Sequence, residues 1–426
     1  MKRYESYKDS GVEWIEEVPS HWEVSSLGKI LLPVSEKNRP DLPLLSITRE
    51  LGVIKRDVED LESNHNFIPD DLSNYKVLKK GQFGMNKMKA WQGSYGVSNF
   101  TGIVSPAYYI FDFIKSVNPV FFHWAIRSKI YVSFFGMASD GVRIGQWDLS
   151  KSRMKFIPFV IPSDEEQQKI AQYLDDKTTK IDHAISLAEK QIELLKEHKQ
   201  ILIQSAVTKG LDSNVEMKDS GVEWIGEVPN HWEIIPMKKL IKEHSGNGFP
   251  IESQGKNGNI PFLKVSDFSE NQDKYIVKWN NAVSNQVTKL RKWNIVPKNS
   301  IVTAKIGEAL RKNHRKILLE DSIIDNNCLG IEIKKSDLLF GYYLHCALDF
   351  DRFTNPGAVP SLDMDKYRNQ KIALPPIPEQ QKIAQYLDEQ TTKIDHAISL
   401  KQQHIEKLKE YKSVLINDVV TGKVRV

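Results

Sequence analysis

The chain is 426 residues long, 40% hydrophobic and 27% charged, with a formal net charge of +4. That length accommodates two to four domains with buried cores, and no apolar run approaches the roughly twenty residues that span a bilayer. The start MKRYESYKDSGVEW is charged and lacks an apolar segment, so no secretory signal is expected and the expected location is cytoplasmic, with no membrane partner.

In chain order, the first recognisable element is DSGVEWIEEVPSHWE, Asp9 to Glu23. A long region follows in which VSPAYYIFDF has the aromatic and β-branched run of a strand. Two of its loops collect polar, basic and indole side chains: GMNKMKAWQGSYG carries Lys87, Lys89, Trp91 and Gln92, and SDGVRIGQW carries Arg143, Gln146 and Trp147. This first domain is expected over 1–162.

A helix is expected over 163–212. Pro162 stands just before it, and Ser163 with Glu166 has the spacing of a capping box. Leu174, Ile181, Ala188, Leu195 and Leu202 recur every seven residues, beside a companion seam of Ala171, Thr178, Ile185, Ile192 and Lys199. VTKGLDSNV, with its glycine and polar cluster, ends the run.

The opening motif then returns as DSGVEWIGEVPNHWE, Asp219 to Glu233, and begins a second domain expected over 213–376. GNGFPIESQGKNGNIPF and NPGAVPS are turn-rich, and SIIDNNCLGIEI reads as strand. TAKIGEALRKNHRK places Lys305, Arg311, Lys312, Asn313, His314, Arg315 and Lys316 close together. A second helix is expected over 377–426. Its EQQKIAQYLDEQTTKIDHAISL, Glu379 to Leu400, differs from Glu166 to Leu187 at two positions, Asp176 to Glu389 and Lys177 to Gln390. Its seams are Leu387, Ile394, Lys401, Leu408 and Leu415 beside Ala384, Thr391, Ile398, Ile405 and Lys412.

Asp219 follows Asp9 by 210 positions and Glu379 follows Glu166 by 213, so the divergent regions are nearly equal in length. This is a tandem duplication and not an array of small repeats. About forty helical residues make a rod of roughly 60 Å, and an amphipathic rod of that length needs a partner, for which its own copy serves. The expected fold is α+β: two mixed α/β domains joined by two long helices in an antiparallel coiled coil, related by an approximate two-fold axis.

Arg, Lys, Asn and Gln are the side chains that read base edges and neutralise phosphates, which points the basic loops toward nucleic acid. With a net charge near zero, that surface must be local. Catalytic signatures are missing. NPGA at Asn355 lacks the second proline and aromatic ring of an amino-methyltransferase motif, and VTGKV at Lys423 lacks the upstream glycine and following Ser or Thr of a phosphate loop. EHK at Glu197 and EYK at Glu410 fall within the heptad rods. Cys328 and Cys346 are too awkwardly spaced for a metal knuckle, and His65, His123 and His244 have no ligand spacing. No metal, cofactor or catalytic residue is therefore expected.

The PPIPEQQKIAQYLDEQTTKID helix, its twin IPSDEEQQKIAQYLDDKTTKID, the paired opening motifs and the two dissimilar regions resemble the specificity subunit of type I restriction-modification systems over essentially the whole chain. The resemblance implies that each divergent region is a target recognition domain reading one half of a split, asymmetric double-stranded DNA site. It also implies that the helices form the spacer and the docking surface for two methyltransferase subunits and for restriction subunits, where catalysis resides. The DNA-contact candidates are then Lys87, Lys89, Gln92, Arg143, Gln146, Lys305, Arg311, Lys312, Asn313, Arg315 and Lys316. The spacer candidates are Leu174, Ile181, Ile185, Ile192, Leu195, Leu387, Ile394, Ile398, Ile405 and Leu408. A coiled-coil adaptor without DNA contact is the alternative; a fused nuclease-methyltransferase would carry catalytic motifs absent here.

Overall fold

A computed structural model describes the chain except for Met1, residues 58–67, Asp70, Ile144, Gly145, Asn257, Pro356 and Ala358. His65, part of NPGA at 355–358, and the side chains of Arg143 and Gln146 thus lie outside the described residues. The chain divides into two compact units, Met1–Glu189 with Gln402–Val426, and Lys190–Lys401. These boundaries cut each long helix internally: Asp164–Lys209 and Ile377–Val420 each contribute to both units. Among the described residues no helix is long and apolar enough to cross a membrane.

In the first unit, a four-stranded antiparallel sheet runs in the order Leu31–Val34, Tyr108–Phe113, Phe83–Asn86, Tyr95–Val97. The aromatic run YYIFDF supplies its inner strand, because such side chains fill a half-buried pleated surface. Phe83, Tyr95 and Phe111 pack there against Phe121, Phe122, Ala125 and Ile126 of the short helix Pro119–Ile126. The same core takes Ile170, Ala171, Leu174 and Ile181 from the first long helix and Leu415, Val419 and Val420 from the second.

The second unit repeats the first three places of that sheet with unrelated sequence: Ile241–Ser245, Cys328–Ile333, Ile301–Ala304, then Lys316–Leu318 and Tyr275–Ile276. The last pair is parallel. Its core joins Ile203, Ala206 and Val207 of the first long helix to Ile383, Ala384 and Leu387 of the second.

The long helices are packed together and antiparallel within each unit. In the first, Lys412 Nζ meets both carboxylate oxygens of Asp182 at 2.7 Å. In the second, Lys199 Nζ meets Asp395 Oδ2 at 2.5 Å and Lys401 Nζ meets Gln191 Oε1 at 2.6 Å. Numbers fall on one helix as they rise on the other. The seam lysines bury their stems and carry their charges to the partner helix. Leu174, Ile181, Ile192, Leu387 and Ile405 are buried; Ile185, Leu195, Ile394, Ile398 and Leu408 are half-buried. Thr178 is also buried, its hydroxyl satisfied by the Leu174 carbonyl at 2.7 Å.

Candidate nucleic-acid interface

The repeated opening motif and the repeated helix meet at one joint, present once in each unit. Trp22, fully buried, donates from Nε1 to Glu166 Oε1 at 3.4 Å, and His21 Nε2 lies 2.9 Å from Glu166 Oε2. Trp232 Nε1 donates to Glu379 Oε1 at 3.1 Å, with His231 Nε2 2.8 Å from Oε2. Burial alone would raise the Glu166 carboxyl, but hydrogen bonds from His21, Ser163 and Trp22 outweigh it and hold the group below its ordinary range. The capping box is also present, with Ser163 N donating to Glu166 Oε2 and Glu166 N to Ser163 Oγ, each at 3.4 Å.

Each joint is closed by the end of the other long helix. Gly422 has φ +77° and Gly210 φ +75°, left-handed backbone that side chains disfavour. A Cβ at Gly422 would lie 2.3 Å from Pro19, and one at Gly210 would lie 3.3 Å from Trp232. The opening motif therefore clasps the start of one long helix to the end of the other.

Behind the joint, buried Gln167 and Gln380 tie the helix to the divergent region. Gln167 Oε1 accepts from Asn118 N at 2.7 Å, and Gln380 Oε1 accepts from Asp337 N at 2.9 Å; Asn118 and Asp337 are the N-caps of Pro119–Ile126 and Leu338–Ala347. Asp175 accepts from Trp124 Nε1 at 2.6 Å, while its repeat partner Asp388 takes Tyr343 Oη at 3.0 Å and Lys274. Identical helix residues thus hold different partners.

The two basic loops occupy equivalent places. Lys87 follows strand Phe83–Asn86, and its carbonyl accepts from Leu149 N at 3.1 Å; Lys305 follows strand Ile301–Ala304, and its carbonyl accepts from Leu362 N at 2.8 Å. Leu149 and Leu362 belong to strand pairs Ser139–Arg143 with Gln146–Leu149 and Thr354–Asn355 with Ser361–Leu362. Arg143 and Gln146 are register partners in the first.

Within the loops the candidates separate by burial. Lys89 and Lys312 are exposed, and Gln92 and Lys305 half-buried. Lys87 pairs with Asp148 at 2.9 Å, and exposed Arg311 pairs with Glu308 and Asp351, each at 3.4 Å. Trp91 and Trp147 pack with ring centres 5.1 Å apart.

Arg315 and Lys316 are 3% and 7% exposed, which removes them from the surface where a duplex would lie. The Arg315 guanidinium sits 3.7 Å over Phe350 and donates to Thr303 Oγ1 at 3.1 Å; burial pushes it down to about 10. Lys316 Nζ donates to the carbonyls of Asn271 and Asp273. Asn313 accepts from Phe350 N at 3.2 Å and Arg315 Nη2 at 3.1 Å. All three are therefore committed to building the second unit. A charge run in sequence does not distinguish a solvated lysine from one whose head group is saturated by backbone oxygens.

The family model for the type I restriction modification DNA specificity domain matches residues 229–410. Over 99% of its length, the chain is also 25% identical to 98% of a Methanocaldococcus jannaschii protein assigned as the MjaX type I restriction enzyme specificity subunit. Residues 229–410 thus carry the type I specificity domain, and the likeness to a specificity subunit runs over the whole chain. The chain is a DNA specificity subunit, the non-catalytic component of a restriction-modification complex. The fold agrees. A chain from a structural study of assembly and conformational transition in a type I restriction-modification system matches with TM-score 0.70 at 13% identity, covering 95% of this chain and 98% of that one. The HsdS subunit from Thermoanaerobacter tengcongensis matches with TM-score 0.54 at 14% identity, covering 96% of this specificity subunit and 98% of its own chain.

Proposed function

We propose that each unit reads one half of a bipartite, asymmetric site in double-stranded DNA. The long helices set the gap between half-sites and dock two methyltransferase subunits together with restriction subunits. What carries this reading is the division of labour in the repeat. Where the halves are identical, part of the identity serves internal packing: Gln167, Leu174 and Thr178 are buried, as are Gln380, Leu387 and Thr391.

The rest does not. Gln172, Thr179, His183, Ser186 and Leu187 are exposed, and so are their counterparts Gln385, Thr392, His396, Ser399 and Leu400. Leu187 and Leu400 stand 50% and 51% in solvent. Apart from the bonds from Gln172 to Asp176 and Gln385 to Glu389, both on the helix surface, internal packing makes no demand on such residues, whereas a partner bound twice in equivalent fashion requires the same surface twice. Where the halves differ, equivalent strand ends present different loops, at Lys87 and at Lys305, as two readers of different half-sites require.

The test is long-read methylation profiling of a host carrying the cognate methyltransferase gene, with and without this chain. A bipartite methylated motif that disappears with the chain supports the reading; an unchanged methylation pattern refutes it.

A further inference from the structure

Three lysines outside the loops singled out from sequence, Lys37, Lys76 and Lys151, join Lys87 on one edge of the first unit. Lys37 and Lys76 are antiparallel bridge partners. Lys76 Nζ donates to the Tyr108 carbonyl at 2.6 Å, on strand Tyr108–Phe113. Lys151 Nζ sits 4.1 Å above the Tyr109 ring. Lys87 follows Asn86, which is registered opposite Tyr108. Segments distant in sequence thus meet around one tyrosine pair, with the ammonium groups of Lys76 and Lys151 on it and Lys37 and Lys87 beside it along the strands.

The electrostatics agree with the geometry. Burial first, then the charges of Lys151, Lys37 and Lys87, hold the Lys76 ammonium below its ordinary value. Among the described residues one ion pair reaches the cluster, Asp148 on Lys87. Gathered like charge destabilises the compact state, and a bound polyanion offsets that cost.

We propose that Lys37, Lys76, Lys87 and Lys151 form a clamp for the phosphate backbone of duplex DNA. The proposal rests on the DNA reading above and adds where, and how, the first unit holds the duplex. Lysine decides the role. Its ammonium meets phosphate as a point charge, and four lysines without an Arg, Asn or Gln among them leave only the guanine edge as a base to read, whereas every step of the duplex offers phosphate. The clamp therefore supplies register and affinity without base preference.

The experiment measures how binding of the purified full chain to two equally long duplexes of unrelated sequence depends on salt. Parent, Lys37→Ala, Lys151→Ala, the double variant and the double Lys→Arg variant are compared. Lys37 and Lys151 are both exposed, so removing them leaves the core intact. Each phosphate contact contributes about 0.9 to the slope of log affinity against log salt. The double alanine variant should lose roughly two units of slope, equally on both duplexes, and the arginine variant should regain them. An unchanged slope while the parent still binds overturns the clamp alone, as does a loss confined to one duplex. A parent that binds neither duplex at low salt overturns the DNA reading and the clamp with it.

Discussion

Trp232 Nε1 donates to Glu379 Oε1 at 3.1 Å across 147 positions of sequence, and Trp22 stands in the same relation to Glu166 across 144. Each pair fastens an opening motif to the first turn of a long helix. Glu166→Gln and Glu379→Gln keep the shape but remove the charge, and each should cost about 1–3 kcal/mol in denaturant unfolding. The two clasps share no residue, so the double variant should show nearly the sum. A double variant no less stable than either single would mean that the joints do not act separately.

Buried and exposed positions of the repeated helix should respond oppositely. Leu174 and Leu387 are fully buried, and truncating either to Ala should cost about 2–5 kcal/mol. Leu187→Ser with Leu400→Ser should leave the unfolding midpoint almost unmoved yet weaken co-purification with the methyltransferase subunit. Equal recovery of that subunit by parent and variant counts against the docking face.

Acid should loosen both units through two neutral histidines, His123 half-buried and His345 buried. Burial, with help from Arg127, pushes His123 down to about 4; burial also outweighs the Gly341 hydrogen bond and pushes His345 to about 4, from an ordinary 6.5. A folded value below the unfolded one means that the unfolded chain takes up protons first as pH falls. Stability is therefore held above pH 6.5 and lost between there and pH 4, by up to the order of 3 kcal/mol per histidine. Unfolding midpoints at pH 7 and pH 5 check this. His345→Gln should lower stability at pH 7 and flatten the dependence, and an equally steep dependence in the variant would exclude His345 as a source.

Local pattern revealed the long helices and several strands, because heptad spacing and aromatic runs are short-range signals. It revealed that the opening motifs repeat but not why, since the partner of Trp22 lies far along the chain and no period links them. In TAKIGEALRKNHRK the residues look alike, yet Lys312 is exposed and Arg315 buried; the Phe350 ring that covers Arg315 arrives from elsewhere in the fold, and the Thr303 hydroxyl that accepts from it lies twelve residues back on a strand. The lysine cluster was invisible for the converse reason. Lys37, Lys76 and Lys151 stand far apart in sequence, and strand pairing and the Tyr109 ring bring them together.

The gap between half-sites should follow helix length. Adding four residues after Glu189 in one long helix and four after Lys401 in the other, at the unit boundaries, lengthens each by ~6 Å with about one extra turn. That is nearly two base-pair steps. Methylation profiling should return both half-sites unaltered with a longer gap. An unaltered gap in an active complex would deny the helices their spacer role.

The claim that one unit reads one half-site is tested most directly by exchanging a single divergent region. Strands Glu233–Pro236 and Lys371–Leu374 pair at the base of the second region, and Met237 N meets the Gln370 carbonyl at 2.8 Å, so residues 237–370 can be replaced by the matching segment of a relative while both clasps stay in place. The measurement is the methylated motif of the resulting complex. The account predicts that one half-site changes while the other half-site and the gap remain. If both half-sites change together, or neither does, the account is contradicted.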